Sequence, residues 1–284
     1  MNKIDFIGFI EVRNSNPNGD IDMDNQPRQH DDGYGYMTDV CLKRKIRDSV
    51  ALLKEGEPRY NLYIANDDMA LESKAMSVIA DNGGYEKIKE MSPEEKHAFV
   101  KKEFMNKYFD VRAFGAVVTT FTKDKYLDGQ IKGPVQITFA DSVEEITVEQ
   151  LTISRVAIQT EKDLKEKKQE LGKKWVVPYA VYKFEGHISA NVADKTGFNE
   201  EDKDVLLEAI WKMYENNKSS SSAGISMLKL FVFEHSSKYG DCNFRKLSNA
   251  IHVNKIHPEI GKPYYDVNLI ESDIPSSIKV DVFE

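Results

Sequence analysis

A chain of 284 residues, 30% of them charged and with a net charge of −8, is long enough for one large domain or two small ones and buries a full core without staples. The acidic balance is opposite in sign to that of a free-standing nucleic-acid binder, so a nucleic-acid role has to rest on a local patch or on a groove shared between copies. Two cysteines, Cys41 and Cys242, make no disulfide framework. No stretch approaches the ~20 apolar residues of a membrane span, and the opening MNKIDFIGF is a short apolar run interrupted by Asp5, unlike a signal peptide. These features point to a cytoplasmic chain with no membrane contact.

Residues 3–13 alternate Ile4, Phe6, Gly8, Ile10 and Val12 against Ile7 and Phe9, the pattern of a central strand with both faces largely apolar. Asn16-Pro17-Asn18-Gly19-Asp20 breaks it with strong turn chemistry. From there the stretch Asn14–Lys54 runs from a loop into a helix, with Thr38 as N-cap and Asp39 in the first turn. At ~100° per residue, Leu42, Ile46, Val50 and Leu53 share a core-facing stripe. Lys43, Arg47 and Lys54 line up beside it, with Arg44 a little further round. Cations at this spacing track a polyanion, each neutralising one phosphate. An ordinary amphipathic helix with a solvated basic face fits the same pattern. Cys41, in this helix, reads as packed.

Residues 55–109 change texture. Helical pieces are predicted around Met69–Ala80 and Ser92–Tyr108, the second opened by Ser92-Pro93-Glu94-Glu95, with Ser at N-cap and Pro at N1. The stretch reads as a helical insert. Strands return at Ala113–Phe121 and Gly133–Ala140, joined by the polar segment Thr122–Lys132. Residues 141–177 are mixed, and their lysine-rich run Glu161–Lys174 reads as a solvated helix or hairpin arm. A strand over Pro178–Val192 follows. Then comes a helix capped by Asn199, with Leu206, Leu207, Ile210, Trp211 and Tyr214 as its apolar face. The flexible run Lys218–Gly224 leads to a strand at Ser226–His235, and a last short strand is expected at Ile278–Phe283. Without the inserts the order is β-α-β-β-α-β, an α+β chain with the split β-α-β of ferredoxin-like and RNA-recognition-motif domains, both helices covering one sheet face.

Candidate chemistry is sparse. Asp20-Ile21-Asp22-Met23-Asp24 copies the first half of a calcium loop, but position six is Asn25, position twelve is Asp31, and a strand precedes it. The same aspartates, with Asp31, Asp32 and Asp39, are also a candidate set for metal-assisted RNA cleavage; a solvated acidic loop is the plain alternative. The six histidines have no zinc spacing, and no GxSxG, Walker loop or GxGxxG is present. The pattern offers no catalytic centre, no metal site and no cofactor. Arg112-Ala113-Phe114-Gly115 half-matches the RNP1 pattern but lacks the later aromatics on which bases stack, so Phe114 reads as packing and Gly115 as a point of close backbone approach.

Several stretches carry a family resemblance. They are Asn16–Asp20, Asn25-Gln26-Pro27-Arg28, Thr38–Arg47, Asp110–Gly115, Gly133–Gln136 and Val232–His235, together with Val177–Gly186 and Thr196-Gly197-Phe198 before an acidic helix start. In these the chain resembles, nearly end to end, the CRISPR-associated backbone (RAMP superfamily) subunit of type I Cascade surveillance complexes, most closely the type I-C form. The resemblance implies a modified RNA-recognition-motif palm spanning 1–284, with a helical fingers insert at about 55–110 and a thumb at about 141–177. It also implies a non-catalytic function. Copies polymerise in a helical filament along one guide crRNA and present it for pairing with a target DNA strand in antiviral defence, beside a large subunit and a guide-processing subunit. The phosphate-gripping positions carry over to Thr38, Lys43, Arg44 and Arg47, with Arg28 in the preceding loop. Asn18 of the turn motif, Lys54 at the helix end and Arg155 before the thumb are further candidates. One departure stands out: Lys218 keeps a basic position after the second helix, but Ser222 stands where arginine is expected. The rival from another class is a metal-dependent RNA endonuclease like the backbone subunits of type III effectors, using the loop aspartates. A stand-alone RNA-binding protein and a calcium-binding module are further alternatives.

Overall fold

The computed structural model describes residues 1–118, 130–154, 171–216, 218–256 and 265–284. In chain order, β1 (Ile4–Ser15) is followed by three short strands, β2 (Gly19–Asp20), β3 (Gln26–Pro27) and β4 (Tyr34–Met37), and then by α1 (Asp39–Leu53). Four helices come next: α2 (Leu71–Asp81), α3 (Gly84–Lys89), α4 (Pro93–Lys107) and α5 (Phe109–Phe114). The strands β5 (Gly115–Val117), β6 (Gln130–Lys132), β7 (Val135–Ile137), β8 (Ala140–Glu145), β9 (Glu149–Ser154) and the long β10 (Leu171–Ile188) lead to α6 (Ala190–Thr196) and α7 (Glu200–Lys212). The chain ends with β11 (Ile225–Glu234), α8 (Phe244–Asn249), β12 (Ile251–Lys255), β13 (Tyr265–Leu269) and β14 (Lys279–Phe283).

The main sheet is antiparallel, in the order β14-β11-β1-β10-β8-β4, with β7 and β9 also paired to β10. β1 is central, as its doubly apolar pattern requires. Its Phe6, Ile10 and Val12 face a core closed by Leu42, Ile46 and Val50 of α1 and by Leu206 and Ile210 of α7. Its Ile7 and Phe9 face the other side, where Leu247 of α8, Ile251 and Val267 cover the sheet. A third apolar cluster, built from Ala75, Val78, Ile79, Val100, Phe104 and Tyr108, lies within the helices that follow α1. No helix of the described residues is long and apolar enough to cross a membrane.

Two glycines set how closely β1 and β10 approach. In the register Phe6 stands opposite Gly186 and Gly8 opposite Phe184. Each ring lies over the partner strand's glycine, and the two rings meet edge to face with centroids 6.4 Å apart. A Cβ on Gly8 would fall 2.2 Å from the Phe184 ring, and one on Gly186 2.1 Å from Phe6. The hydrogen atom is here a packing requirement.

Several boundaries differ from the sequence reading. The strand expected at 113–121 begins only at Gly115, because Phe109–Phe114 is a helix with every residue buried. The cause is polar: Asp110 and Arg112 are held by partners on other elements, Tyr63 before the insert helices and Asp202 at the start of α7. Gly115, at φ 82°, ends the helix, and a Cβ there would meet the Ile131 carbonyl oxygen at 2.2 Å, the close approach expected of it. Residues 119–121 lie outside the described residues. The strand expected at 133–140 is broken into β7 and β8, and β10 starts before Pro178 and ends at Ile188, where α6 takes over. In the stretch 141–177, residues through Glu145 belong to β8, β9 pairs with the start of β10, and 155–170 lie outside the described residues. The α8 and β12–β13 cover was not anticipated. The Gly186→Ala variant is expected to lower stability by about 1–3 kcal/mol through overpacking, seen as a lower thermal midpoint; an unchanged midpoint would contradict the Phe6–Gly186 contact.

Candidate nucleic-acid interface

The loop between β1 and α1 is tied to the helix start by one side chain. Asn18 Oδ1 accepts from the Thr38 amide at 3.0 Å and lies 3.3 Å from its hydroxyl. Thr38 Oγ1 in turn accepts from the Cys41 amide at 3.2 Å, the N-cap bond the sequence calls for. The Arg28 amide donates to the Asn18 carbonyl and the Tyr36 amide to that of Arg28, so loop, strand β4 and helix start move as one unit. Asn18 therefore serves as a positioning residue. Burial pushes the Cys41 thiol up, in keeping with a packed role.

The basic stripe is present, but most of it is already neutralised. Lys43 Nζ lies 2.9 Å from Asp39, Arg28 Nη1 2.9 Å from Asp20, and Lys54 Nζ 3.0 Å from Glu57. Arg47 is turned inward: its side chain is 11% exposed and its Nε donates at 2.9 Å to Asp110, which is buried. Asp110 also accepts from the Tyr63 and Ile64 amides at 2.8 and 3.0 Å. A cation bound to a buried carboxylate cannot leave it cheaply, so Arg47 is a structural residue first. Arg44 is the outward one, 63% exposed and only loosely paired with Asp48 at 3.8 Å. Lys45, half-buried and with no ion-pair partner among the described residues, was passed over in the sequence because it falls off the stripe.

Arg112 does not act as the basic start of an RNA-binding strand. It is almost fully buried, and its Nε and Nη2 meet Asp202 at 2.9 and 2.7 Å. Asp202 also closes the capping box with Asn199 at the start of α7. Neither carboxylate role, Asp110 or Asp202, carries a sequence signal beyond an acid in an apolar or cap context. Ser222 is buried and accepts from the Ser219 amide at 3.0 Å, closing the turn before β11, while Lys218 lies 3.9 Å from Glu215. Ser222 is therefore a turn residue. Arg155 lies outside the described residues.

Two of the loop aspartates are engaged within the loop. Asp20 accepts from Arg28 and caps the 3-10 turn Ile21–Met23 through the Asp22 amide, and Asp32 accepts from the Tyr34 amide. Among the described residues no group of three or more His, Cys, Asp or Glu is placed to hold a metal ion. Two histidines instead share Asp5. His235 Nε2 lies 2.8 Å and His187 Nδ1 2.6 Å from its two oxygens, and Lys3 Nζ lies 2.9 Å from it. Because the Asp241 amide donates to His235 Nδ1, the Nε2 of a neutral His235 carries the proton and donates to Asp5. Burial works against the Asp5 carboxylate, but hydrogen bonds from His187, Lys3 and His235 outweigh it and hold its pKa at about 2, below the ordinary 3.8.

A family model described as "CRISPR-associated protein Cas7" matches residues 2–273. The fold and the loop–helix unit thus stand in a chain of CRISPR-associated type. This protein belongs to the Cas7 family. A Cas7 protein of Haloferax volcanii is 25% identical over 236 residues, covering 78% of this chain and 67% of its own. Among solved structures, a chain of a "CRISPR RNA-guided surveillance complex, pre-nicking" superposes with a TM-score of 0.52 at 13% identity, covering 82% of this chain and 78% of that one; at that identity the likeness is one of fold. A chain of another CRISPR RNA-guided surveillance complex gives a TM-score of 0.48 at 15% identity, over 82% of this chain and 69% of that one.

Two outcomes are expected. Arg47→Ala strands the Asp110 carboxylate and is expected to cost about 3–5 kcal/mol, whereas Arg44→Ala stays within about 0.5 kcal/mol; urea midpoints compare them. Asp5 has its folded pKa depressed, so its contribution is complete above about pH 4 and is lost as pH falls toward 2, worth about 2 kcal/mol. An Asp5→Asn chain should be less stable than wild type at neutral pH, and the gap should narrow as the acid limb is crossed. A gap independent of pH would refute the assignment.

Proposed function

We propose that this chain is the non-catalytic backbone subunit of a type I CRISPR Cascade effector, most like type I-C, acting in the cytoplasm. Copies polymerise on a guide crRNA and present it for pairing with the target DNA strand, beside a large subunit and a guide-processing subunit. Membership of the Cas7 family supports the class. The neighbour order β11-β1-β10-β7, with α1 and α7 on one sheet face, supports a ferredoxin-like palm of the RNA-recognition-motif kind. On this reading the fingers span about 55–110, whose helices have their own apolar cluster, and the thumb about 141–177.

The observation that carries the RNA role is the locked loop–helix unit. It presents the start of α1 with Thr38, Lys43, Arg44 and Lys45 on a rigid support, Arg28 and Asn18 alongside. A guide of any sequence is held by phosphate and sugar, not by base edges, and cations on a fixed helix suit that demand. Lys43, Arg28 and Lys54 exchange an internal carboxylate for a phosphate on binding, so each contributes less than an unpaired cation. Arg47 supports the surface through Asp110. Cleavage by the loop aspartates, the type III-like alternative, receives less support, because Asp20 and Asp32 are engaged within the loop.

The test is repeat-spacer RNA, end-labelled and incubated with the protein in magnesium or in EDTA, then run on native and denaturing gels. Ladder-like shifts with intact RNA in both conditions are expected; magnesium-dependent cuts lost in loop Asp→Ala variants would move the protein to the endonuclease class. In salt titrations, Arg44→Ala is expected to weaken binding across RNA sequences and to reduce the log–log slope by about 1. Arg44 is the informative position because, exposed and only loosely paired, its loss is expected to leave the fold intact.

A further inference from the structure

Three rings stand in near-parallel array at the β4 edge of the sheet. His30 and Tyr36 have centroids 4.3 Å apart with planes inclined by 21°, and Tyr36 and Phe139 have centroids 6.0 Å apart with planes inclined by 6°. Phe139 is 44% exposed and the His30 side chain 46%. Tyr36 alternates with Met37, which packs into the core beneath α1, so the stack stands on the opposite side of the sheet. Ring faces left in water at the ends of a stack are a binding surface for another flat group.

Charge decides which flat group. Asp31 and Asp32 follow His30 directly, and the β4–β8 register sets Asp141 opposite Tyr36 and Glu145 opposite Tyr34. All four carboxylates are exposed. Asp141 lies 3.6 Å from His30 Nε2, and none of the four pairs with a described lysine or arginine. Phosphates are repelled from such a surface. A guanidinium gains both the ring face and the carboxylates.

The same chain holds the complementary charge. Arg245 and Lys246 are exposed on α8 and form no ion pair with any described residue, in contrast to Lys43 and Arg47 of α1. They line a shallow cleft of about 580 Å³ with Asn243, Asn249, Ser272 and Asp273. Among the described residues no ion pair joins this basic pair to the acidic ring stack within one chain. We propose that Arg245 and Lys246 of one copy dock on the His30–Tyr36–Phe139 stack and its carboxylates in the next copy. Two unlike patches make a heterologous contact, which repeats from copy to copy unless the rotation closes it into a ring. The inference rests on the backbone reading for the existence of neighbouring copies, but not on how α1 grips RNA.

The test is sedimentation of the full chain at low and high salt, with and without repeat-spacer RNA. Two charge-reversed chains are compared, Arg245→Glu with Lys246→Glu, and Asp31→Lys with Asp141→Lys. Each alone is expected to weaken association by about tenfold or more, and an equimolar mixture of the two is expected to restore it, because each reversed patch then meets its complement. Phe139→Ala should also weaken association while leaving the affinity for a short single-stranded RNA unchanged. Thermal midpoints at the wild-type value separate these effects from misfolding. The proposal is overturned if the wild type does not self-associate under any of these conditions, if the reversals leave association unchanged, or if the mixture does not restore it. Loss of short-RNA affinity in Phe139→Ala, with association intact, would also overturn it and make the stack a base platform. Loss of RNA shifts in wild type, with association and its charge dependence retained, would refute the RNA role alone.

Discussion

Six buried residues, Phe109–Phe114, hold the molecule's parts in register through two charges of opposite sign. Asp110 reaches the start of the helical insert and, through Arg47, the first helix. Arg112 reaches the other way, to Asp202 at the start of α7 and to the carbonyls of Met105, Asn106 and Arg59. Arg59 adds a second cation to Asp202 at 2.8 Å. Desolvating these ions costs several kcal/mol each, and the fold recovers it only because nearly every donor and lone pair is used. A hydrophobic plug would pack as well but would not fix which helix end meets which.

This constraint explains which parts of the fold were legible in the sequence. Periodicity and caps are local, and they gave β1, α1, α7 and β11 correctly, together with the Thr38, Ser92 and Asn199 caps that the structure confirms by hydrogen bond. The strand expected at 113–121 starts only at Gly115, for a non-local reason. The run Ala113–Phe121 is rich in β-branched residues, but the ion-pair partners of Asp110 and Arg112, Arg47 and Asp202, lie tens of residues away, and these tertiary bonds favour a helical turn up to Phe114 that propensity does not. Residues 236–278 were unread for another reason: short, polar pieces that cover one sheet face have little periodicity of their own.

The candidate site was legible in position and less so in role. Lys43, Arg44 and Arg47 are on α1 where the spacing put them. Sequence spacing cannot show that Asp110 lies beside Arg47, so a buried ion pair and a solvent-facing phosphate contact look alike in the pattern. The converse holds for Arg245 and Lys246, which sit in a stretch with no motif and yet carry no internal partner.

The net charge of −8 is set by composition, but where that charge shows depends on the same pairing. Among the described residues many lysines and arginines pair with internal carboxylates, so the field outside the molecule owes most to the cations and acids without such a partner. Arg44 and Lys45 lie on the α1 side, Arg245 and Lys246 on α8, and an acidic, ring-lined edge lies at β4 and β8. On the proposed backbone role, a subunit that lines up copies along one polyanion faces two opposed demands. It needs positive charge toward the nucleic acid, and it must not repel its own neighbours. Uniform basicity meets the first and violates the second. A negative total with small, oriented basic patches meets both, because each copy then offers its neighbour an acidic surface and the nucleic acid a basic one.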